Sequence, residues 1–334
     1  MQACDVPLLR RFWYCVAPSD TITDKPYGFT LLNEPIALWR DDEGAVRAVK
    51  DRCLHRTAKL SLGYVENGNI VCPYHGWAFS GSGQCVKVPQ DVEDKPNPFG
   101  VPGYHCTEKY NHVWVALEEP MFDIPEIEEF GQPGYRQVIE FCETWSANPL
   151  RIIENSFDAA HITFVHKDSF GDPDPSIHPF TVDETENGFI VQNDIKVKNA
   201  EHMKSALGMQ EDETRRRTRN RFYLPFSRVG RICYPNGLEN ILCTFLTPMD
   251  NQRTQFIQWV MRNDSEEDTP AEKIIAFDRQ VTIEDRDVLE STDFNVPLDR
   301  SEGVELHMPS DRPGMLMRKQ LRRLIDNAEA ETAA

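Results

Sequence analysis

Long apolar runs are missing from this chain of 334 residues. The longest, such as Phe12–Ala17 and Val113–Leu117, are far shorter than the roughly 20 residues needed to span a bilayer. No membrane association is therefore expected. Positive charge is also scarce: 36 Lys and Arg stand against 54 Asp and Glu, a net charge of −18. That balance argues against non-specific binding to nucleic acid or acidic lipid. A secretory leader is not expected either, because Phe12–Ala17 is short for its apolar segment and no small-residue cleavage site follows. The expected location is cytoplasmic. A Gly-x-Gly-x-x-Gly nucleotide motif and a plant-type ferredoxin cysteine run are both lacking. The nine cysteines are odd in number and scattered from Cys4 to Cys243, which is not a small-domain disulfide framework. What remains is ordinary globular material, 40% hydrophobic and 27% charged, long enough for one large or two medium domains.

The first third reads as short strands at Ile36–Trp39, Ala45–Val49, Ile70–Cys72, Trp77–Phe79 and Val113–Leu117, separated by turn-forming spacers. An acidic stretch with three prolines follows at 118–134 and is expected to link or cross between domains. A strand over 135–145 and a helix over 149–161 come next. Strands are then expected at 180–198, 217–234, 239–248 and 254–262, forming an antiparallel sheet. A long helix over 270–292 is expected, with Thr269 as its N-cap and Pro270 at its first position. The charged tail after 318 suits a last helix. The expected division is 1–118, with its core at about 45–90, and 119–334.

Two Cys-His pairs carry the first chemistry. Cys53-Leu54-His55 is followed by Cys72-Pro73-Tyr74-His75-Gly76-Trp77. Each pair brings one thiolate and one imidazole to a loop tip. Zinc and a Rieske [2Fe–2S] cluster compete for such a set. Interleaved Cys-x-His pairs differ from zinc-finger spacing, and Pro73, Gly76 and Gly81-Ser82-Gly83 suit tight turns around a cluster.

The stretch Asp51–Gly63 together with Cys72–Trp77 resembles the Rieske domain of the Rieske non-haem iron oxygenases. It is most similar to the type that includes caffeine N-demethylases, dicamba O-demethylase and saxitoxin-pathway hydroxylases. The resemblance implies that Cys53 and Cys72 hold one iron of the cluster and His55 and His75 the other. Respiratory Rieske proteins brace the cluster with a disulfide. Here Ala58 and Tyr74 occupy those positions, which favours the oxygenase type. Cys85 and Cys106 are not expected to bind iron.

An oxygenase also needs an iron with open positions, held by two histidines and one carboxylate. In Glu154–His166, Asp158 and His161 are three apart and would share a helix face. His161 and His166, five apart, lie about 140° apart on an ideal helix. They reach one metal only if the helix distorts or ends between them. The segment resembles the family motif Asn-x-x-Asp-x-x-His-x-x-x-x-His. That resemblance makes His161 and His166 ligands of a mononuclear Fe(II), Asp158 an electron bridge from the cluster, and Asn155 a supporting residue. For the third ligand, Asp285 falls in the apolar stripe of the 270–292 helix, within about 60° of Ile274, Val281, Val288 and Leu289. Asp278 lies near the same stripe and is its rival. A buried carboxylate without a partner is costly, and a metal would resolve that. Glu284–Ser291 resembles the family's Glu-Asp-x-x-(apolar)-(apolar)-Glu, which favours Asp285.

The stretch Glu305–Arg312 with Arg318–Leu321 resembles the tail of the saxitoxin-pathway hydroxylases; His307 is expected to be structural. In the run Arg215–Arg221, the alternating Arg217, Arg219 and Arg221 share one strand face. A solvated edge is the expected reading; an acidic ferredoxin or a substrate carboxylate is the alternative. Phe164, Phe222, Tyr223, Phe245 and Trp259 are pocket candidates that alternation equally allows as core.

The resemblance implies an α+β fold, a β Rieske domain followed by a catalytic domain with a curved antiparallel sheet flanked by helices. It implies a terminal oxygenase component using O2 to monooxygenate a C–H bond of a small organic substrate, by hydroxylation or by N- or O-demethylation. Electrons would come from a separate ferredoxin or flavin reductase, with NAD(P)H acting only through that partner. Family members are commonly homotrimers. A Rieske electron carrier and a zinc-stabilised binding module are the rival classes.

Overall fold

The computed structural model describes residues 1–91, 98–167, 169–171, 174–199, 204, 207–299, 301, 303 and 305–333. The chain separates into two compact units. One holds Leu9–Asp123 with Thr247–Asn251; the other holds Met1–Leu8, Ile124–Leu246 and Gln252–Ala334. The acidic, proline-bearing stretch carries the change from one unit to the other and forms no strand or helix longer than a turn.

The first unit is built from ten strands: β1 (Tyr14–Pro18), β2 (Tyr27–Leu31), β3 (Glu34–Arg40), β4 (Val46–Lys50), β5 (Tyr64–Glu66), β6 (Asn69–Val71), β7 (Ala78–Phe79), β8 (Cys85–Lys87), β9 (His105–Lys109) and β10 (His112–Ala116). They form three antiparallel sheets in the orders β1-β10-β9, β2-β3-β4 and β5-β6-β7-β8. The expected strands are all present to within a residue or two at their ends. Tight turns at Asn67-Gly68 and Ser80–Gly83 join the four-stranded sheet, with Asn67, Gly68 and Gly83 at positive φ. Its core gathers Trp39, Leu60, Ile70 and Phe79 around Cys53 and Cys72.

The second unit carries β11 (Arg136–Trp145), α1 (Pro149–Asn155), α2 (Ile162–Val165), β12 (Phe180–Thr185), β13 (Gly188–Lys198), β14 (Glu213–Tyr223), β15 (Ser227–Cys233), β16 (Glu239–Pro248), β17 (Thr254–Arg262), α3 (Ala271–Leu289) and α4 (Arg312–Ala333). Its strands make one seven-stranded sheet in the order β11-β17-β16-β15-β14-β13-β12. Two expected strands are each a hairpin. The stretch 180–198 turns at Glu186-Asn187, and the stretch expected at 217–234 starts at Glu213 and turns over 224–226. Every residue of β17 is buried, so both faces of the sheet are covered there. The α+β architecture is the one expected.

Three helix boundaries differ from expectation. Asn148 caps α1 through Leu150 N–H at 2.9 Å, and the helix stops at Asn155 rather than 161. Asp158 Oδ1 accepts the Ala160 N–H at 2.7 Å, a side-chain turn that competes with helix. For α3, Pro270 is itself the capping residue, at φ −55° and ψ 141°. Thr269 is buried, and Glu266 instead accepts the Ala271 N–H at 2.9 Å. The last helix, α4, begins at Arg312, earlier than the charged tail suggested.

Candidate metal centres and the oxygenase family

In the first unit, Cys53 and Cys72 each open a tight loop. Thr57 N–H donates to Cys53 O, and Gly76 N–H donates to Cys72 O, at 3.0 and 3.1 Å. Thr57 and Gly76 both take positive φ, which lets the chain double back beside each Cys-His pair. Asp51 pins the first loop by accepting from the Ser61 N–H and hydroxyl at 2.7 and 2.6 Å. Both thiols are buried, at 2% and 1% exposure, whereas His55 is exposed and His75 half-buried. The two imidazoles lie 4.3 Å apart by centroid, and Trp77 stacks on His55 at 4.9 Å. Burial, with Cys72 alongside, pushes the Cys53 thiol up to about 11; a metal must displace that proton.

This arrangement sorts the donors into a thiol pair inside and an imidazole pair at the rim. A thiol pair and a separate imidazole pair match the two irons of a Rieske cluster, one pair to each. Cys85 is buried in the same core.

In the second unit, the break after α1 brings the expected residues together. His161 precedes α2 and His166 follows it, so the one-turn helix removes the 140° conflict. The rings stand 5.1 Å apart at 72°. Asp285 Oδ1 lies 3.3 Å from His166 Nε2 and 3.6 Å from His161 Nε2. That oxygen is buried and makes no hydrogen bond. A carboxylate oxygen facing two imidazole nitrogens without a hydrogen bond is what a 2-His-1-carboxylate site looks like before its metal is added, and these residues fit Fe(II).

Asp158 Oδ2 stands 3.5 Å from His161 Nδ1. Burial works to raise the Asp158 carboxyl, but His161 and the Ala160 N–H outweigh it and hold it below the ordinary range. Asn155 ends α1 and lines a void of about 80 Å³ that Asp285 also borders. Asp278, the rival carboxylate, borders the same cavity but lies against Glu140 rather than with the two imidazoles. Burial raises both carboxyls, Glu140 well above its usual value. His307 sits 3.9 Å from Asp311, in a separate cavity with Arg151 and Arg318.

Glu284, which the sequence reasoning passed over, stands behind His166. Its Oε2 accepts from His166 Nδ1 at 2.7 Å and from the Ser169 hydroxyl at 2.9 Å. Burial lowers the His166 proton affinity, but Asp285 and Glu284 outweigh it and raise it. The available signal was the acidic neighbour of Asp285: adjacent helical carboxylates point about 100° apart, so one can face the metal and the other a ligand's far nitrogen. Replacing Glu284 by Gln is expected to weaken Fe(II) affinity by about 10- to 100-fold while leaving the cluster spectrum unchanged. Titration of metal-depleted protein with Fe(II) checks this; unchanged affinity would mean that Glu284 only packs.

The site opens into a cavity of about 160 Å³ bordered by His161, His166 and Asp285. The aromatic residues around it are Phe157, Phe170, Tyr234 and Phe277. The earlier candidates lie elsewhere: Phe222, Tyr223, Phe245 and Trp259 are core, and Phe164 is 68% exposed.

Two domain families match the chain. The Rieske [2Fe-2S] domain family matches residues 12–105, and the vanillate O-demethylase oxygenase C-terminal domain family matches residues 145–327. Methylxanthine N1-demethylase NdmA of Pseudomonas putida is 29% identical over 95% of this chain and 89% of its own. The dicamba O-demethylase oxygenase component of Stenotrophomonas maltophilia is 35% identical over 48% of each chain, so this chain spans about half of that relative's length in the match. The structure of Pseudomonas putida CBB5 NdmA with caffeine superposes with a TM-score of 0.84 at 26% identity, covering 99% of this chain and 94% of that one. The chain belongs to the Rieske oxygenases with a vanillate O-demethylase-type catalytic domain, and it is built as a terminal oxygenase component, an oxidoreductase that incorporates oxygen from O2.

Proposed function

We propose that this chain monooxygenates a C–H bond of a small organic molecule, by hydroxylation or by oxidative N- or O-demethylation. His161, His166 and Asp285 hold Fe(II); Cys53, His55, Cys72 and His75 hold the [2Fe–2S] cluster. The observation that carries the reading is the unbonded Asp285 Oδ1 facing both imidazoles at the wall of a cavity. The cluster supplies single electrons and the ferrous ion supplies open positions for dioxygen.

The protein's own groups prepare those positions. Glu284 takes the Nδ1–H of His166, which leaves Nε2 with its lone pair toward Asp285. Asp158 faces His161 Nδ1 more loosely, at 3.5 Å and without a hydrogen bond. It is the group we assign to the electron path, because its side chain remains one-third accessible for a cluster histidine to approach. Asn155 supports the turn by accepting the Asp158 N–H through its backbone at 3.1 Å. We further infer a homotrimer in which one subunit's cluster serves its neighbour's iron, a cytoplasmic location, and a ferredoxin or flavin reductase as electron donor. The domain division we assign is a Rieske domain at 1–118 and an iron catalytic domain at 119–334. No described helix is long and apolar enough to cross a membrane.

Anaerobically purified protein is expected to be red-brown and to carry about three irons and two sulfides per chain, one cluster plus one mononuclear ion. Colourless protein that holds zinc and no acid-labile sulfide after reconstitution would sink the reading.

A further inference from the structure

The cavity that ends on His161, His166 and Asp285 has a second polar lining made by two arginines. Strand β14 alternates, and its even-numbered residues from Thr214 to Thr218 are buried. Arg216, Thr218 and Asn220 therefore border the cavity, while Arg215, Arg217 and Arg219 lie on the exposed face. Arg216 is only 8% exposed. Its Nε has no hydrogen-bond partner, and no ion pair among the described residues involves it. Its guanidinium lies over the Phe170 ring at 4.9 Å, and Phe170 stacks on His166 at 4.7 Å.

Arg228, on β15, borders the same cavity. Its Nε and Nη2 donate to Asn220 Oδ1 at 3.0 and 2.7 Å, which leaves Nη1 without a partner among the described residues. The backbone is shaped for this. Gly230 pairs across from Asn220, and a Cβ there would come within 2.3 Å of Asn220 Oδ1 and 2.8 Å of Arg228 Nε and Nη2. Asn240, 5% exposed, adds an Oδ1 with no hydrogen bond to the same lining.

The guanidinium donors are not all matched among the described residues. Burial and the neighbouring Arg216 lower the Arg228 guanidinium to about 10. Asp278 borders the same cavity and acts on the charge of both arginines, but among the described residues no ion pair joins it to either. Asp285, which also acts on Arg228, is committed to the metal site. A buried guanidinium with unmatched donors, such as Arg216, is costly unless an anion meets it. A guanidinium offers a carboxylate two parallel hydrogen bonds.

We propose that Arg216 and Arg228 form a carboxylate subsite for the substrate, which therefore is a small organic acid presenting its reacting carbon to the His161, His166 and Asp285 end of the cavity. Phe157, Ile195, Ile232, Leu242 and Phe277 supply an apolar wall for its body. The volume, about 160 Å³, is below the roughly 300–1,000 Å³ of sites for drug-sized ligands, which restricts that body to about one ring. The inference rests on the reading of this cavity as the place of oxygen chemistry.

The test is anaerobic calorimetry on the holoenzyme with 3-methoxybenzoate, 4-methoxybenzoate and phenylacetate, each against its amide. At least one acid is expected to bind about tenfold or more tighter than its amide. Arg216→Gln and Arg228→Gln are each expected to remove about tenfold from the acid and little from the amide. Arg217→Gln, on the exposed face, is expected to change neither. If the acids bind no tighter than the amides, or not at all, the subsite is overturned. It is overturned equally if the preference survives in both glutamine variants. The wild-type contrast decides by itself should a variant fail to fold. Iron and sulfide measured on the same samples separate the two readings. Fully loaded protein without acid preference removes only the subsite, and protein without the expected iron removes the oxygenase reading.

Discussion

Asp285→Ala is expected to lose the mononuclear iron and keep the cluster. Iron content should fall from about three to about two per chain, with sulfide and the visible spectrum unchanged, and turnover should drop by at least about a thousandfold. The reason is geometric. Asp285 Oδ1 sits within 3.6 Å of both Nε2 atoms, and the nearest alternative carboxylates are committed: Glu284 to His166 Nδ1, Asp158 to the His161 side and the Ala160 N–H. Two imidazoles alone form a weak and open site. A readout independent of turnover is thermal unfolding. Fe(II) at about 100 times its Kd stabilises wild-type protein by about 2.7 kcal/mol, and this shift should vanish in the variant. A variant that keeps three irons and the Fe(II)-dependent shift would show that another residue is the third ligand.

Asp158→Asn tests the electron path without dismantling either centre. Asn can still accept the Ala160 N–H through its side-chain oxygen, as Asp158 Oδ1 does at 2.7 Å, so the turn that places His161 should survive. The negative charge beside His161 Nδ1 is removed. Both metal centres are expected to load normally, and reduction of the cluster by its reductase should be unchanged. Turnover should fall by about two orders of magnitude, with slowed reoxidation of the reduced cluster in a single turnover. Loss of iron instead would assign Asp158 a purely structural task, and a wild-type rate would remove it from the electron path.

Much of the second centre was legible because its residues are close in sequence. Asp158, His161 and His166 stand within nine positions, and the weak helix formers between the histidines signalled a break. Its place was misjudged: the helix ends at Asn155, where the Asp158 turn takes over. Asp285 was legible from the 100° step of a helix, yet the same step admitted Asp278. Only the packing of Asp278 against Glu140 separated them. The basic run shows the opposite case. Alternation groups Arg217 with Arg219 and Arg221, and equally sets Arg216 apart from them. Nothing in the strand itself says which group faces inward, and the structure turns Arg216 into the cavity.

The sequence by itself determined which donors we propose as ligands: two thiols, four imidazoles and a helical carboxylate, at spacings that suit loop tips and one helix face. Those choices are local, because a ligand's type and its neighbours' turn propensities are written within a few residues. The tertiary fold decided which side chains stand behind and across from those donors: Glu284 at His166, Arg228 beside Arg216, and Gly230 making room for the Arg228–Asn220 contact. Such pairings cross between strands and helices up to 118 residues apart. Their partners are fixed by register and burial of the whole sheet, which no short window of sequence contains.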